Sequence, residues 1–387
     1  MRRRVAVVTG TRAEYGLLRT VCRAMHAEPA LEIELYVTGM HLLRRFGATV
    51  REIERDPWPI AARVRMQRGD DAPLDQAEGL ARGVAGLARA FARRQPDIVL
   101  VLGDRIEALA GALAAVTSGR ILAHVHGGDV AEGDFDDSLR HAITKLAHLH
   151  FAASSGARRR LLALGERPDC VFRVGAPGLD ELRELRVVER GAQPPTALVV
   201  QHAYGRSALR EQRVMSEVLA CCAAAGLRRT IIWPNSDRGF AGVVSAIEAH
   251  VAQSPAGSVR VARSLPRGEF LRELVQAEVL VGNSSCGLIE APFAGTPAVN
   301  VGERQAGREA GGPLLLHAEE NAGAIGRALR RARALRADAA RWRRLTQAAR
   351  VYGRGRAGEA IARILATCEL RPGLRRKRLR LSQAARG

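Results

Sequence analysis

Between Asp104 and His141 the chain gathers ionisable side chains just where short apolar runs end. Gly103-Asp104-Arg105 follows the run Ile98–Leu102, so an acid and a base stand side by side at its mouth. The run Ile121–Val125 leads into His124-Val125-His126-Gly127-Gly128-Asp129, followed by Glu132 and by Asp136-Asp137-Ser138, which opens a helix carrying Arg140 and His141. Carboxylates and imidazoles grouped in this way suit proton transfer near neutral pH. They make the stretch a candidate active site. The competing reading is structural, with Asp136 or Asp137 as a helix N-cap and the remaining charges as ion pairs. A zinc ion shared by His124, His126 and Asp129 is a third reading. No cysteine or further histidine lies at usable spacing, so neither a metal nor a cofactor is expected.

Other apolar runs end in anion-binding chemistry. Thr9-Gly10-Thr11-Arg12-Ala13-Glu14-Tyr15-Gly16 allows a tight turn onto a helix N-terminus, with Arg12 as a fork of donors. Gly39-Met40-His41 ends the next run. Gly282-Asn283-Ser284-Ser285-Cys286-Gly287 opens a helix containing Glu290, and its N–H groups and hydroxyls suit a diphosphate. Spacing alone leaves a plain polar turn open there. Arg304 and Arg308, in Gly302-Glu303-Arg304-Gln305-Ala306-Gly307-Arg308, favour the phosphate reading, and Gln201-His202 and Trp233-Pro234-Asn235-Ser236-Asp237 end two more runs.

The elements that must position these residues alternate. Strands are predicted over Val5–Val8, Ile33–Val37, Ile98–Leu102, Ile121–Val125, Leu149–Ala153 and Val171–Val174, with helices over Tyr15–His26, Gln76–Arg94, Ile106–Thr117 and Ser138–Ala147. Val187–Thr196, with Gly191 and Pro194-Pro195, reads as a linker. A second series then follows, with strands over Ala197–Gln201, Thr230–Trp233, Val259–Val261, Val279–Gly282 and Pro297–Val301, and helices over Ala208–Ala225 and Ala241–Ala252. Such alternation predicts an α/β fold of two Rossmann-like domains with a cleft between them. Ligands in parallel sheets bind beyond the carboxyl ends of the strands, where these clusters fall. The expected domains are residues 1–186 and 197–355, then a helix at 356–370 and a basic tail at 371–387.

Composition limits the alternatives. The 60 basic and 40 acidic residues give a net charge of +20. Arginine is spread over nearly every helix without an aromatic platform, so nucleic acid is not the expected partner. The concentrated basic run at Arg371–Arg380 reads as a solvated tail, with an anionic partner as the alternative. No apolar run approaches the roughly 18 residues that span a bilayer. MRRRVAVVTG reads as a first buried strand and not as a signal peptide, which places the protein in the cytoplasm. The six cysteines, none in a C-x-x-C, read as reduced apolar residues.

Seven segments resemble the UDP-N-acetylglucosamine 2-epimerase family, and its hydrolysing, sialic-acid-pathway branch in particular. They are TGTRAEYG, VTGMHLL, LGDRIEAL, HGGDVAEGDFDDSLRHAITKLAHLHF, VGAPGLD, WPNSD and GNSSCGLIEAPFAGTPAVNVGERQAGRE, in the family's order. The resemblance implies a glycosyltransferase-B-like fold whose terminal helix, here Gly358–Cys368, crosses back to the first domain. It implies that Arg12, His202, Asn235, Ser284, Ser285, Glu290 and Arg304 hold uridine and diphosphate. Asp104, Arg105 and Asp136 would face the sugar, with His126, Asp129 and His41 as further catalytic candidates. The partner is then a nucleotide sugar, the assembly a homodimer or homotetramer, and no membrane is involved.

The implied reaction has two stages. A base removes the C2 proton as the nucleoside diphosphate leaves C1, giving a 2-acetamidoglycal. Water then adds at C1 and a proton returns to the opposite face of C2, releasing a free N-acetylmannosamine-type sugar. One departure bears on the substrate: the best-known hydrolysing members end the strand before Gly-Gly in His-x-Glu, and here the position is His126. A UDP- or GDP-linked 2,4-diacetamido-trideoxyhexose and GDP-N-acetylglucosamine are therefore alternatives. So are a non-hydrolysing 2-epimerase and a glycosyltransferase, which shares the fold.

Overall fold

The computed structural model describes residues 2–44, 47–68, 73–130, 136–185, 194–235, 237–263 and 265–377. The chain divides into two compact units. One comprises Met1–Asp129, Phe135–Asp180 and Gly353–Gly387, the other Val130–Asp134 and Glu181–Tyr352. Most of the predicted linker, residues 187–193, lies outside the described residues, as does Glu132. Among the described residues no helix is long and apolar enough to cross a membrane.

The first unit is built on seven strands: β1 (Arg3–Thr9), β2 (Leu31–Thr38), β3 (Ile60–Val64), β4 (Ile98–Leu102), β5 (Ile121–Val125), β6 (Leu149–Ala152) and β7 (Val171–Arg173). They lie in the order β3-β2-β1-β4-β5-β6-β7, and every pairing is parallel. Its helices begin with α1 (Arg12–Ala27), α2 (Val50–Ile53), α3 (Pro73–Arg94) and α4 (Ile106–Thr117). There follow α5 (Asp136–Leu146), α6 (Ser155–Ala163) and the short α7 (Asp180–Glu184), where the chain passes to the second unit.

The sheet is apolar on both faces because helices cover both. Along β1, Val5 and Val7 join the core formed with α1, while Ala6 and Val8 join the one formed with α3 and α4. Strand order reverses between β1 and β4, so their following loops part at a topological switch point.

The second unit has β8 (Thr196–Val200), β9 (Arg228–Ile232), β10 (Val259–Ala262), β11 (Val279–Gly282), β12 (Ala298–Val301) and β13 (Leu315–Ala318). Its helices are α8 (Ala208–Ala224), α9 (Phe240–Gln253), α10 (Arg267–Gln276), α11 (Cys286–Phe293), α12 (Ala322–Ala337) and α13 (Ala339–Ala348). The strand order β10-β9-β8-β11-β12-β13 places a second switch point between β8 and β11. At Gly282 the strands close up: a Cβ there would stand 2.2 Å from the Val200 carbonyl oxygen, so only glycine fits.

Two strands, β3 and β13, were not anticipated from sequence. Both are edge strands. The half-exposed β3 carries Arg63 and lacks the continuous apolar run that marks a central parallel strand.

After Tyr352 the chain returns to the first unit as α14 (Ala357–Thr367) and α15 (Pro372–Arg375). Ile361 and Leu365, one turn apart, enter the core beside Leu18 and Val21 of α1. The Asp180 carboxylate caps this helix from a distance, accepting from Ala357 N at 2.9 Å and Gly358 N at 2.7 Å. Part of the basic tail is docked rather than solvated. Lys377 Nζ donates to the Thr144 and Ala147 carbonyls at 2.8 and 2.7 Å, and pairs with Glu166 at 2.6 Å. Residues 378–387 lie outside the described residues. Asp180→Ala removes both cap bonds and is expected to cost about 1–2 kcal/mol, which a thermal melt against the parent protein checks.

Candidate functional site

In the first unit the loops after β1, β4 and β5 meet at or beside the switch point, and a buried arginine organises two of them. Arg140, one helical turn after Asp136 on α5, is 2% exposed. Its guanidinium donates to Asp104 Oδ2 beyond β4 and to the His126 carbonyl beyond β5, the latter at 3.4 Å. A guanidinium withdrawn from water must be paired, so the ends of β4, β5 and α5 are fixed relative to one another. Asp104 keeps a side-chain exposure of 22%. Asp136 stands in the first turn of α5, on the same face as Arg140.

His126 is a non-glycine residue in the left-handed region, at φ 65°. Its amide donates to the Phe151 carbonyl at 3.1 Å, and its ring Nδ1 lies 2.9 Å from Asp129 Oδ2. Asp129 is 2% exposed. A carboxylate only accepts, so Nδ1 carries a proton, and in the neutral ring Nε2 is then the acceptor. His124 has a different job. Burial pushes it down to about 3, and its neutral ring donates from Nε2 to the Gly103 carbonyl at 2.8 Å, tying β5 to β4. With Thr144 Oγ1 3.4 Å from Nδ1, both of its nitrogens face protein partners.

The loop after β1 is set by a capping box in which Thr11 and Glu14 bond each other's backbone. Arg12 is held by Glu52 of α2 through Nε at 3.0 Å and Nη2 at 2.8 Å. Beneath the loops lies Glu107, which is 0% exposed. Neither of its oxygens accepts a hydrogen bond among the described residues, and Arg105 Nε stands 3.4 Å from Oε2. Glycine at 10 and 39 makes room for it: a Cβ at either would lie 2.3 or 2.7 Å from Glu107 Cγ. Burial pushes Glu14 up to about 8, with the Gly10 N–H opposing and the nearby Glu107 adding to the rise.

In the second unit Asn283 spans the switch point. Its amide accepts from His202 N and donates to His202 O, both at 2.8 Å. Its own carbonyl receives Arg304 Nη1 at 3.3 Å and Gln305 Nε2 at 3.0 Å. Burial, helped by the Arg304 charge, pushes His202 down to about 4. Because Nδ1 accepts from Asn235 N at 3.2 Å, the neutral ring keeps its proton on Nε2 as a donor. Ser285 is the N-cap residue of α11 and makes no side-chain cap bond. The Ser284 hydroxyl has the Cys286 thiol 3.2 Å away. Glu290, one turn into α11, is paired with Arg267, which also reaches Glu181 at 3.6 Å.

The structure thus ties Asp104 and the His126 carbonyl to Arg140, sets Asp129 against the His126 ring and keeps Asp136 one turn before Arg140 on α5, with Arg105 as the N-cap residue of α4. It gathers His202, Asn235, Ser284, Ser285 and Arg304 around Asn283. It does not bring His41 to the catalytic group. That ring is 0% exposed, held between Thr9 Oγ1 at 3.2 Å and Thr49 Oγ1 at 2.7 Å, and pushed down to about 3 by burial. It braces the loop after β2. Neither Asp136 nor Asp137 is an N-cap, because the helix already includes both and Asp137 pairs with His141 at 3.3 Å. The sequence reading names Arg140, Glu14 and Asn283 but gives them no role of their own, and it does not single out Glu107. The Asp136–Arg140 spacing of one turn was the available signal for the first.

A family model described as UDP-N-acetylglucosamine 2-epimerase matches residues 23–366. The chain is 35% identical to the UDP-N,N'-diacetylbacillosamine 2-epimerase (hydrolyzing) of Legionella pneumophila, over 80% of this chain and 83% of the relative. It is 30% identical to the UDP-N-acetylglucosamine 2-epimerase of Neisseria meningitidis, over 81% and 83%. A solved UDP-GlcNAc 2-epimerase of Methanocaldococcus jannaschii has the same fold, with TM-score 0.75 at 17% identity, covering 94% of this chain and 99% of that one.

Glu14 gives a pH prediction. Its native carboxyl holds a proton up to about 8, whereas the unfolded one releases it near the ordinary glutamate value of 4.5. Between those values the unfolded state binds fewer protons, so stability falls as pH rises. Glu14→Gln keeps an oxygen for Gly10 N and removes the titration. Its melting temperature should fall less than the parent's between pH 5 and 8.

Proposed function

Because the chain belongs to the UDP-N-acetylglucosamine 2-epimerase family, we propose that it is a hydrolysing nucleotide-sugar 2-epimerase. It releases UDP and a free 2-epimerised amino sugar through a 2-acetamidoglycal. The observation that supports this reading is one buried arginine that pairs with Asp104 and holds the backbone of His126, whose ring meets Asp129, with Asp136 one turn before it on α5. The C2 proton of a 2-acetamido sugar is weakly acidic. A positioned base therefore needs help from stabilisation of the leaving diphosphate. The second unit offers donors for that purpose in His202 Nε2, the Ser284 and Ser285 hydroxyls, Arg304 and the N-terminus of α11. In this reading the first unit acts on the sugar and the second holds the nucleotide.

The sugar is a UDP-linked 2-acetamidohexose such as N-acetylglucosamine. A 2,4-diacetamido-trideoxy sugar is the second reading, favoured by His126 in place of the glutamate expected there. The similarity to the Legionella enzyme supports it too. A panel of UDP- and GDP-linked sugars, with product identified by NMR in deuterium oxide, tests both. Hydrolytic epimerisation predicts free UDP and deuterium at C2. A nucleotide that stays attached makes the enzyme non-hydrolysing, and an unexchanged C2 hydrogen with transfer to an acceptor makes it a glycosyltransferase.

Asp104→Asn and Asp136→Asn are each expected to lower kcat by about 10²–10⁴ while leaving UDP affinity nearly unchanged. Steady-state kinetics paired with calorimetry of UDP binding would show it, and near-normal turnover in either variant would sink that carboxylate's assignment. Ser284→Ala with Ser285→Ala should do the opposite, weakening UDP binding more than kcat.

A further inference from the structure

We propose that His126 and Asp129 form a base dyad in which His126 Nε2 removes the C2 proton, while Asp129 is the positioning residue that fixes the ring. The assignment rests on the epimerase reading and goes beyond it by naming the group for one stage. Three observations converge on His126. Asp129 Oδ2 accepts from its Nδ1 at 2.9 Å, which leaves Nε2 as the acceptor of the neutral ring. The backbone on both sides is held, with N bonded to Phe151 O and the carbonyl bonded to Arg140. The residue also keeps a left-handed backbone at φ 65°, which is uncommon for a non-glycine residue.

What imposes that backbone is the Gly127-Gly128 turn. Gly128, at φ 75°, passes so close to α6 that a Cβ would lie 2.4 Å from the Ala157 carbonyl oxygen. A Cβ at Gly127 would lie 2.9 Å from His124 Nδ1. The chain must bend tightly there to return Asp129 beneath the ring. Imidazole oriented by a buried carboxylate is a recurrent way to make a base. Asp104 is differently placed, since one of its oxygens is committed to the Arg140 guanidinium.

In the first stage Nε2 takes the C2 proton. The C–H electron pair becomes the C1=C2 double bond, and the C1–O bond breaks with its pair leaving on the diphosphate. In the second stage water supplies hydroxyl to C1, and a proton reaches C2 from the opposite face. Because C2 inverts, the group on the first face does not deliver that proton. The dyad therefore serves elimination and not hydration.

The test separates the two stages. His126→Asn is chosen because asparagine tolerates the left-handed backbone, and Asp129→Asn because it is isosteric. Both are assayed for UDP release from the nucleotide sugar, for hydration of synthetic 2-acetamidoglycal in the presence of UDP, and for UDP affinity. His126→Asn should lower UDP release by about 10²–10⁴ and leave glycal hydration and UDP affinity within several-fold of the parent. Asp129→Asn should show the same split with a smaller loss. Equal loss in both stages, or near-parent UDP release, overturns the dyad. If the parent epimerises without releasing UDP, the hydrolytic reading fails alone. The dyad then stands or falls on whether His126→Asn stops exchange of the C2 hydrogen with deuterium oxide.

Discussion

The first unit of this protein depends on a guanidinium kept out of water. Arg140 is the largest fully buried side chain among the described residues, and burying its charge is costly unless partners meet it. They do so from the ends of two strands, Asp104 beyond β4 and the His126 carbonyl beyond β5. The residue that pays this penalty sits on α5, one turn from Asp136. Removing Arg140 would leave a carboxylate and a carbonyl unpaired in the site, and Asp104 and His126 would lose their common reference.

The second unit solves a similar problem without charge. At its switch point the Asn283 amide joins two loops through paired bonds to His202, and its carbonyl collects Arg304 and Gln305. Both solutions sit where strand order reverses or beside that point. There the neighbouring loops diverge. An amide suffices to stitch these loops together. The first unit has carboxylates and imidazoles to orient as well, and a cation also sets the local field.

The arginine-rich composition looks different once the pairs are visible. Arg206 joins Glu211 and Glu320 while lying over Tyr204, Arg12 joins Glu52, and Arg19 joins Asp56. Much of the charge is spent internally. Lys377 is the clearest case, because a residue from a run that reads as a free basic tail docks on the last carbonyls of α5 and on Glu166. A cation suits that helix end, where unpaired carbonyls accumulate negative charge.

The sequence by itself determined the α/β alternation, the central strands and the loops in which ionisable residues gather. Central parallel strands such as Ile98–Leu102 must be apolar throughout, and the residues that follow them are the ones freed for ligands. It could not show β3, a half-exposed run that carries Arg63, or β13, a four-residue run interrupted by the exposed His317. It also could not separate His41, His124, His126 and His202, four histidines near strand ends. Tertiary structure made His41 and His124 buried struts, His202 a donor and His126 an acceptor, because a ring's role is set by which nitrogen its neighbours claim. Those neighbours lie anywhere from three to 33 residues away in the chain. No local pattern records them; only folding brings them within hydrogen-bonding reach.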